Sequence, residues 1–176
     1  PPASSTEIIV TRPEIYFGES PATYAIVNTE SKEFDYPSGD ENVYTRYNGT
    51  GGVPAGGFLK RSLFAARFGE LKIIFSSDIS PQSRFLYTRP IRERASLAAP
   101  FLKFDSDPYI VISKEGKLFW MLDAYTTTDR YPYSERTSGI NYIRNSVKAT
   151  VDAYNGTIAF YIADPTDPIV NTYASI

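Results

Sequence analysis

Runs of apolar residues separated by polar turns predict a chain built mainly from β-hairpins. Two such runs on either side of a short charged turn predict a hairpin over residues 109–125. A second hairpin is predicted from residues 146–154 and 157–163, because the Asn155-Gly156 dipeptide between them favours a type I′ turn. Hairpins join antiparallel strands, so this half of the chain is expected to form antiparallel sheet.

Further strands are predicted where β-branched and aromatic residues cluster. These segments are residues 7–17, 24–36, 43–47 and 71–75. The first two are separated by Gly18 and Pro21 and are expected to form a hairpin or a loop-linked pair. The glycine-rich segment 48–57 is expected to be a mobile loop.

Helical spacing of apolar residues is confined to shorter parts of the chain. It predicts one helix over residues 58–68 and a second over residues 90–99. A third begins after Pro168, and its apolar face has no capping signal after it, so the natural chain is expected to be longer. The predicted fold class is α+β, a predominantly antiparallel β-sheet built from hairpins with two or three short helices.

Composition limits both the architecture and the chemistry. The 176 residues are enough for one core, so a single domain over residues 1–176 is expected, with a possible subdivision near residues 100–108. The absence of His and Cys excludes Ser-His-Asp relays, thiolate nucleophiles and histidine zinc sites. A formal net charge of -2 gives no basic field for nucleic acid, and no apolar stretch reaches the about 20 residues that span a bilayer. We therefore expect a soluble chain that does not bind nucleic acid.

Carboxylates on loops are the candidate metal ligands. They are Asp105, Asp107, Asp164 and Asp167. Hard cations such as Ca²⁺ bind oxygen ligands of this kind, but Asp before Pro is also ordinary turn chemistry. The turn interpretation is favoured, so we expect no cofactor and keep calcium as the alternative.

A basic and aromatic strip is the second candidate site. Its cations are Arg84, Arg89, Arg92 and Arg94, whose guanidinium groups could bind an anion or a phospholipid head group. Internal ion pairing is the alternative, and the nearly neutral chain favours it.

Catalysis would require carboxylates to meet in one cleft. A metal-dependent or carboxylate hydrolase acting on an envelope polymer would need Asp78, Asp105, Asp107 and Asp123 together. The sequence contains no signal for that convergence, so it favours a protein that is not an enzyme.

Several motifs together resemble a known family. They occupy residues 11–19, 27–29, 33–37, 49–54, 76–79, 105–109, 123–127 and 141–148. In combination they are similar to the large bacterial membrane proteins catalogued as uncharacterised protein family 0182. The resemblance implies a fragment of an extracytoplasmic region, attached to the bacterial cell membrane through N-terminal transmembrane helices outside this chain. No activity is established for that family, so it supplies no catalytic residues.

These observations lead to one functional hypothesis and two alternatives. The leading hypothesis is a noncatalytic extracytoplasmic binding or scaffold domain of a bacterial integral membrane protein, which meets an envelope ligand or a protein partner. The alternatives are the envelope-polymer hydrolase and a gating or capping domain of a membrane transporter. An exposed apolar or aromatic surface patch would favour the binding domain.

Overall fold

The computed structural model describes residues 9–38 and 41–175 and divides into two compact units. The central unit contains residues 21–89, and the terminal unit contains residues 1–20 and 90–176. The boundaries lie after Ser20 and after Arg89. The single domain expected from the sequence stays a prediction, and each unit is described by itself.

The central unit combines a small sheet, a hairpin and two helices. Its strands are β1 (Tyr24–Val27), β2 (Glu33–Ser38), β3 (Glu41–Thr45), β4 (Val53–Pro54) and β5 (Arg84–Tyr87). Its helices are α1 (Phe58–Phe68) and α2 (Lys72–Phe75). The three-stranded sheet has the order β1-β5-β4, and β2 pairs with β3 as a separate antiparallel hairpin.

Aromatic stacking fills the space between α1 and the small sheet. The ring of Phe64 lies 4.1 Å from that of Phe85, and the ring of Phe68 lies 4.1 Å from that of Tyr24. Phe85 is fully buried on the central strand β5, where it anchors the core of this unit. Stacked rings of this kind add about 1 kcal/mol each beyond the area they bury.

Three strand predictions in the first half of the chain are wrong. Residues 24–36 form two strands, and the first pairs with β5 instead of with residues 7–17. Within residues 9–17, the part of that segment that is described, the only strand-like pairing is a single bridge from Arg12 to Lys117. The predicted strand 71–75 is helical, since Ile73 points into the core while its neighbours two residues away are exposed.

The terminal unit is built on one five-stranded antiparallel sheet. Its strands are β6 (Lys103–Phe104), β7 (Tyr109–Ile112), β8 (Leu118–Thr128), β9 (Tyr142–Asp152) and β10 (Ile158–Ile162). Its helices are α3 (Ile91–Ala98) and α4 (Pro168–Ala174). The strand order is β10-β9-β8-β6, and β7 also pairs with β8. Both predicted hairpins are confirmed, as is the α+β class.

The connection between β9 and β10 differs from the predicted type I′ turn. That turn needs positive φ at both central residues, whereas Gly156 has a φ of 71° and Asn155 does not have a positive φ. The Asp152 carboxylate instead accepts the backbone N–H groups of Tyr154 at 2.8 Å and Asn155 at 2.9 Å. The side chain of Asp152 thus shapes a longer loop than the dipeptide alone would give.

The two faces of this sheet have different surroundings. Ala124 of β8 and Val147 of β9 are buried in a cluster with Leu102 and with Val170 of α4. Residues that alternate with these point to the opposite face, because side chains alternate along a strand. Among the described helices, none is long and apolar enough to cross a membrane.

Candidate functional site

Asp167 is the most enclosed of the predicted metal ligands, with 0% of the residue exposed. Its carboxylate accepts hydrogen bonds from the hydroxyls of Thr126, Ser146 and Tyr142, the last at 2.7 Å. It also accepts the backbone N–H of Ile169 at 2.9 Å and thereby caps the N-terminus of α4. The side chain therefore ties α4 to both long strands of the sheet.

The electrostatics of this carboxylate follow from its hydrogen bonds. Burial by itself would raise the pKa of Asp167, but the hydroxyls of Ser146, Thr126 and Tyr142 outweigh it and hold the pKa at about 2. Burial and the hydrogen bond to Asp167 both raise the pKa of Tyr142, so this hydroxyl remains a donor. Asp167 is thus an ionised structural group at neutral pH.

We expect the stability of the terminal unit to fall as the pH is lowered from about 4 to about 2. The pKa of Asp167 in the folded state lies below its ordinary value of 3.8, so the unfolded chain takes up the proton first. The stabilisation from the Asp167 carboxylate is complete above about pH 4 and is lost as the pH falls towards about 2. Urea unfolding followed by the fluorescence of Trp120, the single Trp of the chain and part of β8, measures the loss. An equal loss in Asp167→Asn would contradict this assignment.

The other predicted calcium ligands have local partners or lie on an exposed loop. Asp164 forms an ion pair of 2.9 Å with Arg144 and accepts the Thr166 hydroxyl at 2.6 Å. Asp105 accepts the N–H of the residue that follows it at 2.6 Å, and Asp107 is exposed before β7. Across the described ranges, no group of three or more Asp or Glu side chains could hold a metal ion. The calcium site therefore stays a prediction.

The carboxylates of the hydrolase hypothesis have separate surroundings. Asp123 on β8 forms an ion pair with Lys148 on β9. Asp78 belongs to the central unit and accepts a serine hydroxyl at 3.1 Å. Asp105 and Asp107 belong to the terminal unit. Asp78 thus belongs to a different unit from the other three carboxylates, and the hydrolase hypothesis stays a prediction.

A polar cluster lies on the sheet face opposite the helices. Asp123 and Lys148 are in register across β8 and β9, and the Tyr125 hydroxyl donates to Asp105 at 3.4 Å. The hydrogen bond with Asp123 raises the pKa of Lys148, and burial raises the pKa of Tyr125. Both donors therefore stay protonated at neutral pH and are poor general bases. The sequence analysis missed this pairing because it requires the strand register.

The arginines of the predicted anion strip are divided between the two units. Arg84 donates to three backbone carbonyls in residues 50–52, at distances of 2.6 to 3.0 Å. Arg94 donates to the Gly156 carbonyl at 2.6 Å and lies 4.7 Å from the ring of Phe17. The central unit holds Arg84 and Arg89, and the terminal unit holds Arg92 and Arg94. Arg84 and Arg94 thus use their guanidinium groups to bind backbone carbonyls, and the anion site stays a prediction.

An apolar groove of about 310 Å³ lies beside β10 in the terminal unit. Phe160 and Ile162 of β10 line one wall, and the stacked rings of Phe101 and Tyr173, 4.0 Å apart, line the other. These four side chains are 40–45% exposed, so the groove is open to solvent. Val147 of β9 is buried at its base. The sequence predicted the apolar face of α4, but it did not predict that this face would lie near Phe101 and Phe160.

Strand β10 forms an edge of the sheet next to this groove. It pairs with β9 on one side, and none of the described strands pairs with its other side. An edge strand presents backbone N–H and C=O groups that can pair with a further strand. The groove and the edge together form a surface suited to an extended polypeptide with apolar side chains.

A second apolar surface lies on the helices of the central unit. Phe58, Leu59 and Leu63 of α1 are 63–73% exposed. Leu71 and Phe75, at the two ends of the adjoining helix α2, are 70% and 83% exposed. Both helices also bury apolar residues in the core, so α1 is apolar on two faces. A surface helix normally has one apolar stripe, which packs on the core. The second, outward stripe of α1 is therefore a candidate binding surface.

Comparison with known proteins places the whole chain in one family. The model of the uncharacterised protein family UPF0182 matches residues 1–176. A UPF0182 protein of Pelotomaculum thermopropionicum is 55% identical over the whole chain, which covers 19% of that protein. UPF0182 proteins of Desulforamulus reducens and Geobacter sulfurreducens are each 52% identical, and the chain covers 19% and 20% of them. No solved structure matches the chain. The chain thus spans about a fifth of its relatives and belongs to the UPF0182 family.

Proposed function

We propose that this chain is a noncatalytic binding or scaffold domain on the extracytoplasmic side of a bacterial integral membrane protein. Its groove beside β10 receives an extended segment from another part of the same polypeptide. The observation that carries the proposal is the open apolar groove next to an edge strand. Such a surface is costly to leave in water and is typical of a docking site.

The chemistry of β10 fits the addition of a strand. Ile158, Phe160 and Ile162 alternate along it and point to the face that carries the groove. A segment that pairs with the backbone of β10 would place every second side chain on the sheet face that carries the groove, beside Phe160 and Ile162. Backbone hydrogen bonds would supply affinity, and the apolar walls would select large apolar side chains.

The occupant is assigned to the same polypeptide because of chain length. The chain covers 19–20% of the lengths of these relatives, so about four fifths of each relative lies outside the matched region. A segment of one polypeptide docks at an effective concentration in the millimolar range, without the translational cost of a separate partner. An intramolecular occupant therefore needs less binding energy than a free ligand.

Two further observations support a role without catalysis. The chain has no His or Cys, and the fully buried carboxylate of Asp167 is occupied as a helix cap. The raised pKa values of Tyr125 and Lys148 disfavour proton abstraction at neutral pH. The extracytoplasmic location depends on the membrane helices that the family resemblance implies, and the gating alternative stays a prediction for the whole protein.

Photo-crosslinking in the full-length protein tests the occupant of the groove. A benzoylphenylalanine replaces Phe160 in the groove, and a second variant carries it at Tyr133, which is fully exposed on a loop. We expect position 160 to crosslink to a peptide of the same polypeptide outside these 176 residues. Position 133 is expected to give no crosslink to that peptide. A crosslink from position 160 to a separate protein, to lipid or to nothing would overturn the proposal.

A further inference from the structure

The exposed apolar side chains of the chain are concentrated on α1 and α2. Eight large apolar side chains in the described residues are more than 60% exposed, and five of them lie between positions 58 and 75. Those five are Phe58, Leu59, Leu63, Leu71 and Phe75. One short stretch therefore supplies most of the apolar surface that the central unit leaves in water.

Spacing along α1 separates its two faces. Leu59 and Leu63 are one turn apart, and Ala66 continues the same stripe, so these residues share a face of the helix. Ala65 is buried and Phe64 is packed in the core, so they define the opposite face. The outward stripe therefore does not contribute to the core of the central unit.

The charges around this stripe have one dominant sign. Residues 57–76 contain four basic residues and one acidic residue, which gives 4 - 1 = +3 for this stretch in a chain whose net charge is -2. Lys60, Arg67 and Lys72 are all exposed. Arg61 instead turns inward and donates to the Ile79 carbonyl. Exposed leucines and phenylalanines bordered by cations are the pattern of a helix that lies in the interface of an anionic membrane.

We propose that α1 and α2 bind the surface of a membrane that contains anionic phospholipid. The boundary between head groups and acyl chains receives the five exposed apolar side chains, Phe58, Leu59, Leu63, Leu71 and Phe75. Lys60, Arg67 and Lys72 contact the phosphates, and their long side chains can extend from the apolar layer to the head groups. Charge complementarity selects lipid as the occupant, since its phosphates supply negative partners for Lys60 and Lys72, which a purely apolar protein surface would not. Arg67 also lies 5.4 Å from the ring of Tyr87, at the border of the same surface. This site lies in the central unit and does not depend on the groove beside β10.

Vesicle flotation of the chain tests this site. Vesicles of phosphatidylcholine alone are compared with vesicles made of equal parts of phosphatidylcholine and phosphatidylglycerol. We expect binding to the second kind only, and we expect it to weaken as the salt concentration rises. Binding that is equal for both vesicles, or absent from both, would overturn the proposal.

Matched variants locate the binding surface. The double variant Leu59→Ser/Leu63→Ser is expected to reduce partitioning by at least about tenfold, because it removes two buried side chains from the membrane. Its control, Leu97→Ser, changes an exposed leucine of α3 that is 67% exposed and should bind as the original chain does. All these positions are exposed, so folding is expected to be retained and is checked by circular dichroism.

Charge reversal separates the lipid from other occupants. Lys60→Glu/Lys72→Glu is expected to lose about tenfold or more in binding to anionic vesicles, whereas Lys114→Glu in the β7–β8 turn should lose little. Sedimentation of the chain is measured in parallel. If the chain forms a dimer that Leu59→Ser/Leu63→Ser abolishes and no variant affects vesicle binding, the surface is a protein interface and the lipid proposal is wrong.

Discussion

Replacing Asp167 with alanine is expected to lower the free energy of unfolding of the terminal unit by about 3 kcal/mol. The substitution removes the N-cap of α4 and leaves the hydroxyls of Thr126 and Ser146 without their shared acceptor. Both residues are almost completely buried, so water cannot replace the carboxylate without a local rearrangement. The loss combines about 1 kcal/mol for the cap with about 2 kcal/mol for the buried donors.

Asp164→Ala is the matched control on the same loop. Asp164 is a partly exposed carboxylate with an ion pair to Arg144 and exposed hydrogen bonds from Thr166, so its loss is expected to cost about 1 kcal/mol. Urea unfolding followed by Trp120 fluorescence compares the two variants, since this residue lies in the sheet that Asp167 supports. Similar costs for the two substitutions would show that Asp167 is not the anchor of α4.

Replacing Gly52 with alanine is expected to destabilise the central unit by about 3 kcal/mol. Gly52 has a φ of +70°, and a Cβ atom there would lie 2.4 Å from the Phe85 carbonyl oxygen and 2.5 Å from a methyl of Leu86. The carbonyl belongs to β5, the central strand, which is paired on both sides and cannot move away freely. The substitution thus adds a backbone clash to the strain of the left-handed conformation.

Gly69→Ala isolates the contribution of backbone strain. Gly69 follows α1 with a φ of +67°, and a Cβ there meets no atom within 4 Å. Its substitution is expected to cost about 1 kcal/mol. Hydrogen exchange of β5, measured by mass spectrometry, reports on the central unit. Exchange in β5 should rise clearly in Gly52→Ala and only slightly in Gly69→Ala, and equal exchange would contradict the predicted clash.

The local patterns of the sequence predict the hairpins but not every element of the central unit. The β7–β8 and β9–β10 hairpins follow from apolar runs and turn residues that are close in sequence. Residues 71–75, which were predicted as a strand and contain α2, form a short apolar run. The pattern of such a run fits a strand or a helix equally well. Strand β5 was missed because Arg84 was assigned to a basic surface strip, whereas the core residues of β5 pair with the distant β1.

The role of Asp167 shows where residue types mislead. Asp before Pro suggested a turn or a cation ligand, yet Asp167 followed by Pro168 is also a helix N-cap followed by its first residue. That part of the role was readable from the sequence. The donors Thr126 and Ser146 lie 41 and 21 residues away, so their contact with Asp167 depends on strand pairing that no local pattern specifies.

The candidate binding surfaces were also only partly predictable. The spacing of apolar residues over 58–68 predicted the helix α1 correctly. It did not indicate which apolar face would be buried, since both faces contain large side chains. The groove combines Phe101, Phe160 and Tyr173 from three separate segments of the chain, so it exists only once β10 and α4 are in place.

Hydrogen exchange of β10 in the full-length protein tests the docking proposal most directly. If another segment of the polypeptide pairs with β10, the amides on both edges of Ile158–Ile162 are protected. Strand β7, Tyr109–Ile112, lies at the opposite edge of the same sheet and serves as the internal reference. We predict stronger protection of β10 than of β7. Rapid exchange of the outward amides of β10 would contradict the proposal and leave the groove without an intramolecular occupant.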